Sequence, residues 1–392
     1  MSVKIGSATD YGDLLNQLDT FLTGTGQALT PSFVGTGNGT IDAHGGSASV
    51  AEVITVTFTS ATAFNVSGSI SGALGSGTVG TLFTNSKAVL TITAGGTAFV
   101  ATDAFTFAVT PPWTSLRRVS ASEMIWQAPG NGGLDQIIVG AKTFFSVGGD
   151  YYNWRLGGFS AYNSGSPFNQ QPSFPGGASQ AHSSPVLNLW NSTIPYWFIA
   201  NGRRVIVIAK VSTVYACCYL GFLNSYMAPG AFPYPLVVGG SMCWTSNSEP
   251  AAGDTRWRWS YSGAEMRNFA IPHDGVLSSP TDSQLLLRLA SGSWQGFCSS
   301  SGDQTFGQVW PYAYVDRSAW DWRPDLDGGY SLLPIVLADV TPNVYGELDG
   351  VYALTGFSQG AENTVTINGV KNLVVQNVFQ NTKSQFFAVR LT

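Results

Sequence analysis

Apolar and hydroxyl-bearing residues alternate through AEVITVTFT, residues 51–59. In an extended chain Ile54, Val56 and Phe58 fall on one side, and Val53, Thr55 and Thr57 on the other. The same pattern predicts strands near residues 50–59, 63–69, 88–93 and 104–109, joined by the glycine-rich turns GALGSGTVG (72–80) and AGG (94–96). Threonine supplies the solvent face, leaving little room for catalytic side chains. ITAGGTAFVATDAFTFAVT (92–110) repeats this grammar of strand, Gly-Gly turn and strand.

A different period governs the start of the chain. Leu14, Leu15, Leu18, Phe21 and Leu22 recur at helical spacing. Asp10 or Thr9 is placed to cap this helix, and Gly24 to end it. Residues 1–32 therefore read as an N-terminal arm with a short helix. Its apolar stripe docks on the chain's own body or on a neighbouring subunit; in the second case Leu14, Leu18 and Phe21 are partner-binding residues.

Pro111-Pro112 makes a stiff boundary. Beyond it Trp, Tyr and Arg rise, and strands are predicted at 197–200, 205–211, 214–222, 257–261 and 285–289. Residues 168–185 read as a long loop, and NLVVQNVFQN with SQFFAVRL as a hairpin around 381–383. The most apolar run, VIVIAKVSTVYACCYLGFL (205–223), holds Lys210 in its first half, so it reads as buried strands rather than a membrane span. The expected fold class is all-β: the helical arm (1–32), a small β-sandwich (33–112) and a larger aromatic-rich β-sandwich or jelly-roll-like domain (113–392).

Composition turns this from a fold into a way of life. Charged residues make up 10% of the 392, against roughly 25% in an average soluble protein, while aromatics reach 13% and Gly numbers 46. So sparse a charge suits a surface covered by copies of itself or by other subunits. A net charge of −5 argues against a general nucleic-acid binder. Interface-type residues concentrate after Trp113, so the larger domain is expected to carry most partner contacts, with the small one projecting from it. Met1–Asp13 lacks the apolar centre of a signal peptide, and the four cysteines form no disulfide framework. Cys217 and Cys218 are adjacent and point to opposite faces of any strand; the spacing of Cys243 and Cys298 gives no support for a pair.

Candidate chemistry is thin. His44, His182 and His273 lie far apart in sequence, with no GxSxG elbow and no metal-spaced His/Cys cluster. GTGNG (35–39) lacks the Lys-Ser/Thr of a phosphate loop and reads as a turn. DRSAWDWRPDLDGG (316–329) concentrates Asp316, Asp321, Asp325 and Asp327. Asp321, Asp325 and Asp327 are calcium candidates, but the closing Glu of a calcium loop is missing. Arg317 and Arg323 favour structural ion pairs there, and Asp321 with Asp325 is the one obvious pair for a glycan hydrolase. RWRWSY (256–261) sets Trp257, Trp259 and Tyr261 on one strand face, as sugar-stacking or partner-binding residues or simply as core.

Five stretches resemble a family of virion structural proteins of tailed bacteriophages and prophages. They are ITAGGTAFVATDAFTFAVT, GGDYYNWRLGGF (148–159), IPYWFIANGRRVIVIAKVSTVYACCYLGF (194–222), PNVYGELDGVYALTGF (342–357) and the C-terminal LVVQNVFQN…FFAVRL. The resemblance implies a tail-associated virion component and supplies no catalytic residues to carry over; no cofactor is expected, and assembly is expected in the host cytoplasm. The expected function is assembly in the tail or baseplate, with copies of itself and other virion proteins as partners. The alternative is a receptor- or glycan-binding protein of the tail or capsid surface.

Overall fold

The structure is a computed structural model that describes residues 1–24, 27–28, 31–130, 135–175, 184–242, 257–260, 266–272, 283–299, 307–313, 331–339, 343–354, 360–382 and 384–391. Most of them lie in β-strands, with a single α-helix among the described residues. No helix among them is long and apolar enough to cross a membrane.

The alternation at 51–59 becomes the strand Glu52–Phe58. Ile54, Val56 and Phe58 are buried while Val53 is 45% exposed. This strand sits between Ala104–Thr110 and Ala63–Gly68, both antiparallel, within a six-stranded sheet. A three-stranded sheet holds Thr40–Gly45, Phe83–Thr84 and Ala88–Thr93. The two sheets share one core, in which Phe58 and Phe64 meet Leu90 and Ile92. The rings of Phe58 and Phe99 stack with centroids 3.9 Å apart. Every residue of this core lies between Phe33 and Val109, so the segment carries its own apolar centre.

The helix Tyr11–Gly24 forms where its spacing predicts. Asp10 is the cap: its carboxylate accepts from the N–H of Gly12 at 2.7 Å and of Asp13 at 2.8 Å. The Asp13 carboxylate accepts in return from the Thr9 N–H at 2.9 Å. The segment does not form a free arm. Strand Ser2–Ala8 pairs with Ile194–Ala200 over seven residues, Ser2 opposite Ala200 through Ala8 opposite Ile194. Leu14, Leu15 and Leu18 are 0% exposed, packed into one core with Trp126, Trp154 and Phe198. The apolar stripe is thus covered by the chain's own body, and the neighbour-docking expectation is corrected.

That core lies between a five-stranded sheet, which includes Glu123–Ala128, Ile137–Ser146 and Tyr151–Phe159, and a 14-stranded sheet. Strand Val214–Phe222 of the larger sheet is buried along its whole length. Ala216, Cys218 and Leu220 enter the core shared with the helix. Tyr215, Cys217 and Tyr219 enter a second core, with Val237, Leu337, Phe387 and other side chains of the same sheet. A strand covered on both faces needs apolar residues at every position, which accounts for the unbroken run at 214–223. Lys210 escapes by pairing with Glu362 at the edge of this region. The C-terminal hairpin forms as expected, with Val370–Gln376 antiparallel to Phe386–Arg390.

The strand expected at 257–261 is corrected over its described part: residues 257–260 form a turn. The Trp257 carbonyl accepts from the side-chain amides of Asn153 at 2.9 Å and Asn188 at 3.3 Å. Its neighbours then diverge. Trp257 is 3% exposed and meets Phe144 edge-on at 5.2 Å, while Trp259 packs on Trp190, also at 5.2 Å.

Candidate functional site

The described tryptophans after residue 112 are mostly spent internally. Trp113, Trp126, Trp154, Trp197, Trp257 and Trp294 are all 8% exposed or less. Of the expected partner-binding residues, Leu14, Leu18 and Trp257 are buried in the chain's own cores, which corrects their assignment to a partner. Phe21 and Trp259 are half-buried against the helix-bearing core, Phe21 with its ring 5.7 Å from that of Phe198. Tyr261, the calcium candidates Asp321, Asp325 and Asp327, and His182, His273 and Cys243 lie outside the described residues. Among the described residues no three His, Cys, Asp or Glu side chains gather as a metal site would require.

A surface of different character stands on the outer face of the six-stranded sheet. One cross-strand row runs Ser32, Thr106, Thr55, Ser67. The next runs Val34, Ala104, Thr57, Asn65, Ser76. Ala108 opposite Val53 extends the face. These positions hold hydroxyls, one amide and small apolar groups, and no charge. Val34 is 76% and Val53 45% exposed. The hydroxyls of Ser32 and Thr106 share a hydrogen bond of 2.6 Å, and Ser76 donates to the Asn65 side chain at 2.8 Å, so part of the polar surface is already satisfied in plane.

Two carboxylates of this segment are drawn into its loops. Asp103 is 3% exposed and accepts from the backbone N–H groups of Thr36, Gly37 and Val100 at 3.1, 3.0 and 3.1 Å. Glu52 is 6% exposed and accepts from the N–H groups of Ile70 and Ser71 at 3.0 and 2.9 Å and from the Ser71 hydroxyl at 2.7 Å. Burial pushes both carboxyls up, but these hydrogen bonds outweigh it and leave both pKa values lowered. Asp42 and His44 lie 3.1 Å apart on a strand of the three-stranded sheet, away from the neutral face. The aligned positions of the face place no acid or base beside its hydroxyls. It can exclude water against another neutral surface without desolvating a charge. Sequence reasoning identified the Thr-bearing positions but assigned them to solvent; the charge-free register across neighbouring strands becomes visible only once the strands are aligned.

No family profile matches the chain, and no curated protein matches it. Among solved structures it is similar to FlgL of Xanthomonas campestris, at 23% identity over 22% of this chain and 31% of that one, with a TM-score of 0.19. The overlap spans less than a third of FlgL, and a TM-score of that size supports no common fold.

Proposed function

We propose that this chain is a non-enzymatic structural subunit of a tailed bacteriophage virion, placed in the tail or baseplate and acting through assembly with copies of itself and other virion proteins. In this reading residues 33–112 form a small β-sandwich and residues 113–392 a larger β-sandwich or jelly-roll-like domain that incorporates the N-terminal strand and helix. The observation that carries the proposal is the charge-free outer face of residues 32–108, in a chain with only 10% charged residues. Small hydroxyl and methyl groups let a second sheet approach to about 10 Å, the ordinary spacing of packed sheets. This moves the proposed contact from the larger domain, whose described tryptophans are mostly buried, to the smaller one.

The test has two parts. Light scattering on the purified chain should show a multimer that Thr55→Lys with Thr57→Lys converts to monomer without lowering the unfolding temperature. A monomer at high concentration for the unaltered chain removes the self-assembly claim. Mass spectrometry of purified particles from a host carrying the coding sequence should recover the chain; its absence from the particles removes the virion claim.

A further inference from the structure

Beside strand Val214–Phe222 the chain leaves the long sheet and returns through a proline-rich loop, PGAFPYP (229–235). The loop walls a cleft of about 480 Å³, within the roughly 300–1,000 Å³ of small-molecule sites. Pro229, Phe232, Pro233, Tyr234 and Pro235 form one side. Asp135, Arg203 and Asn224 line it with polar groups.

The cleft is built from anchored parts. Phe232 is 2% exposed and belongs to the second core of the long sheet. The Leu223 N–H donates to the Pro235 carbonyl at 2.8 Å, closing the neck of the loop. Asn224 and Tyr226 both donate to the Glu347 carboxylate, at 3.0 and 2.8 Å, tying the loop to strand Val344–Leu354. The Arg288 guanidinium lies 5.8 Å from the centre of the Tyr234 ring, yet Tyr234 stays 40% exposed. Prolines at three positions of the wall reduce the ordering cost of binding.

The polar groups define the ligand. Arg203 Nε stands 3.4 Å from Asp135 Oδ2, with the side chains 28% and 23% exposed. The Arg203 guanidinium also lies 5.6 Å from the centre of the Phe222 ring. A donor fork and an acceptor thus stand side by side with their charges cancelled. An anion would meet Asp135, and a cation would meet Arg203. A neutral molecule with adjacent hydroxyls can satisfy both, and an apolar C–H face suits the Tyr234 ring.

We propose that this cleft binds a neutral saccharide, with a pyranose ring against Tyr234 and neighbouring hydroxyls bonded to Asp135 and Arg203. The proposal is independent of the assembly reading, because the cleft and the neutral sheet face share no residue.

Ligand-observed NMR and calorimetry on the full chain test it, with maltotriose, triacetylchitotriose and lactose as probes. At least one should bind saturably with a Kd on the order of 1 mM, and Tyr234→Ala should weaken it about tenfold. Asp135→Asn should weaken it too, and both variants should keep the unaltered circular dichroism spectrum. The charged-face variant Thr55→Lys should bind as the unaltered chain does, which separates this test from that of assembly. No saturable response to any probe, or equal affinity in Tyr234→Ala, overturns the proposal. So does saturation by a neutral proline-rich peptide in place of the sugars.

Discussion

Trp126 and Asp19 are 107 residues apart in sequence and joined in space: the indole N–H donates to the Asp19 carboxylate at 2.8 Å inside the core. The other carboxylate oxygen faces Arg118 Nε at 2.9 Å. Asp19 thus fastens the helix to the five-stranded sheet through two partners on neighbouring strands. Asp19→Ala leaves the buried indole N–H unsatisfied and Arg118 without its ion pair. The expected cost is about 2–4 kcal/mol, read from denaturant unfolding. Asp19→Asn keeps an acceptor oxygen for Trp126 and should cost less; equal losses for the two variants would show that the indole bond contributes little.

The first strand pairs into the long sheet and the helix packs into the core beneath it, which sets the outcome of truncation. Removing residues 1–24 strips a seven-residue strand from the long sheet and uncovers the core around Leu14, Leu15 and Leu18. Each buried leucine side chain contributes about 1.5–3 kcal/mol. The truncated chain should aggregate or unfold, and Leu18→Ala alone should cost about 2–5 kcal/mol. A soluble truncated chain with an unchanged melting temperature would return the segment to the status of an independent arm.

What the sequence revealed depended on local period. Residues 52–58 alternate cleanly because one face is core and the other is open, so strand and facing residues were legible together. The helix was legible from its leucines, but the surface they cover was not. That surface comes from Trp126, Trp154 and Phe198, distant in sequence. Strands were not foreseen between Trp113 and Tyr196. In TSLRRV (114–119) every residue is exposed or half-buried, so no apolar alternation marks the strand. RWRW has the alternation of a strand and is a turn where it is described, with the Trp257 carbonyl accepting from Asn153 and Asn188. The cleft at Tyr234 was illegible for the same reason as the helix contact: Asp135, Arg203 and Tyr234 meet only after folding.

Cys217 and Cys218 should be chemically silent in the native chain. Both are fully buried, one in each core of the strand they share. Burial pushes the Cys218 thiol up to about 12 and raises Cys217 well above its ordinary range. The thiolate is the reactive form, so iodoacetamide at pH 8 should leave both unmodified until denaturant is added. Peptide mass spectrometry reads the result directly. Rapid native labelling of either residue would mean that this strand opens far more readily than its position between two cores implies.

Glu52 and Asp103 predict how the small segment responds to acid. Both carboxyls have lowered pKa values in the fold, from ordinary values of 4.5 and 3.8. A proton therefore binds the unfolded chain more tightly than the folded one. Their stabilisation is complete above the ordinary carboxylate range and is lost as pH falls through the lowered folded values. Asp103 gathers three backbone N–H groups, and Glu52 two with a hydroxyl. Glu52→Gln with Asp103→Asn places amide N–H groups against those donors and should lower the melting temperature at pH 7. The difference from the unaltered chain should shrink steadily as pH falls below the ordinary carboxylate range and through the lowered folded values. Thermal melts by circular dichroism across that range decide the matter. A temperature gap that stays constant with pH would show that the two side chains act through shape alone and not through charge.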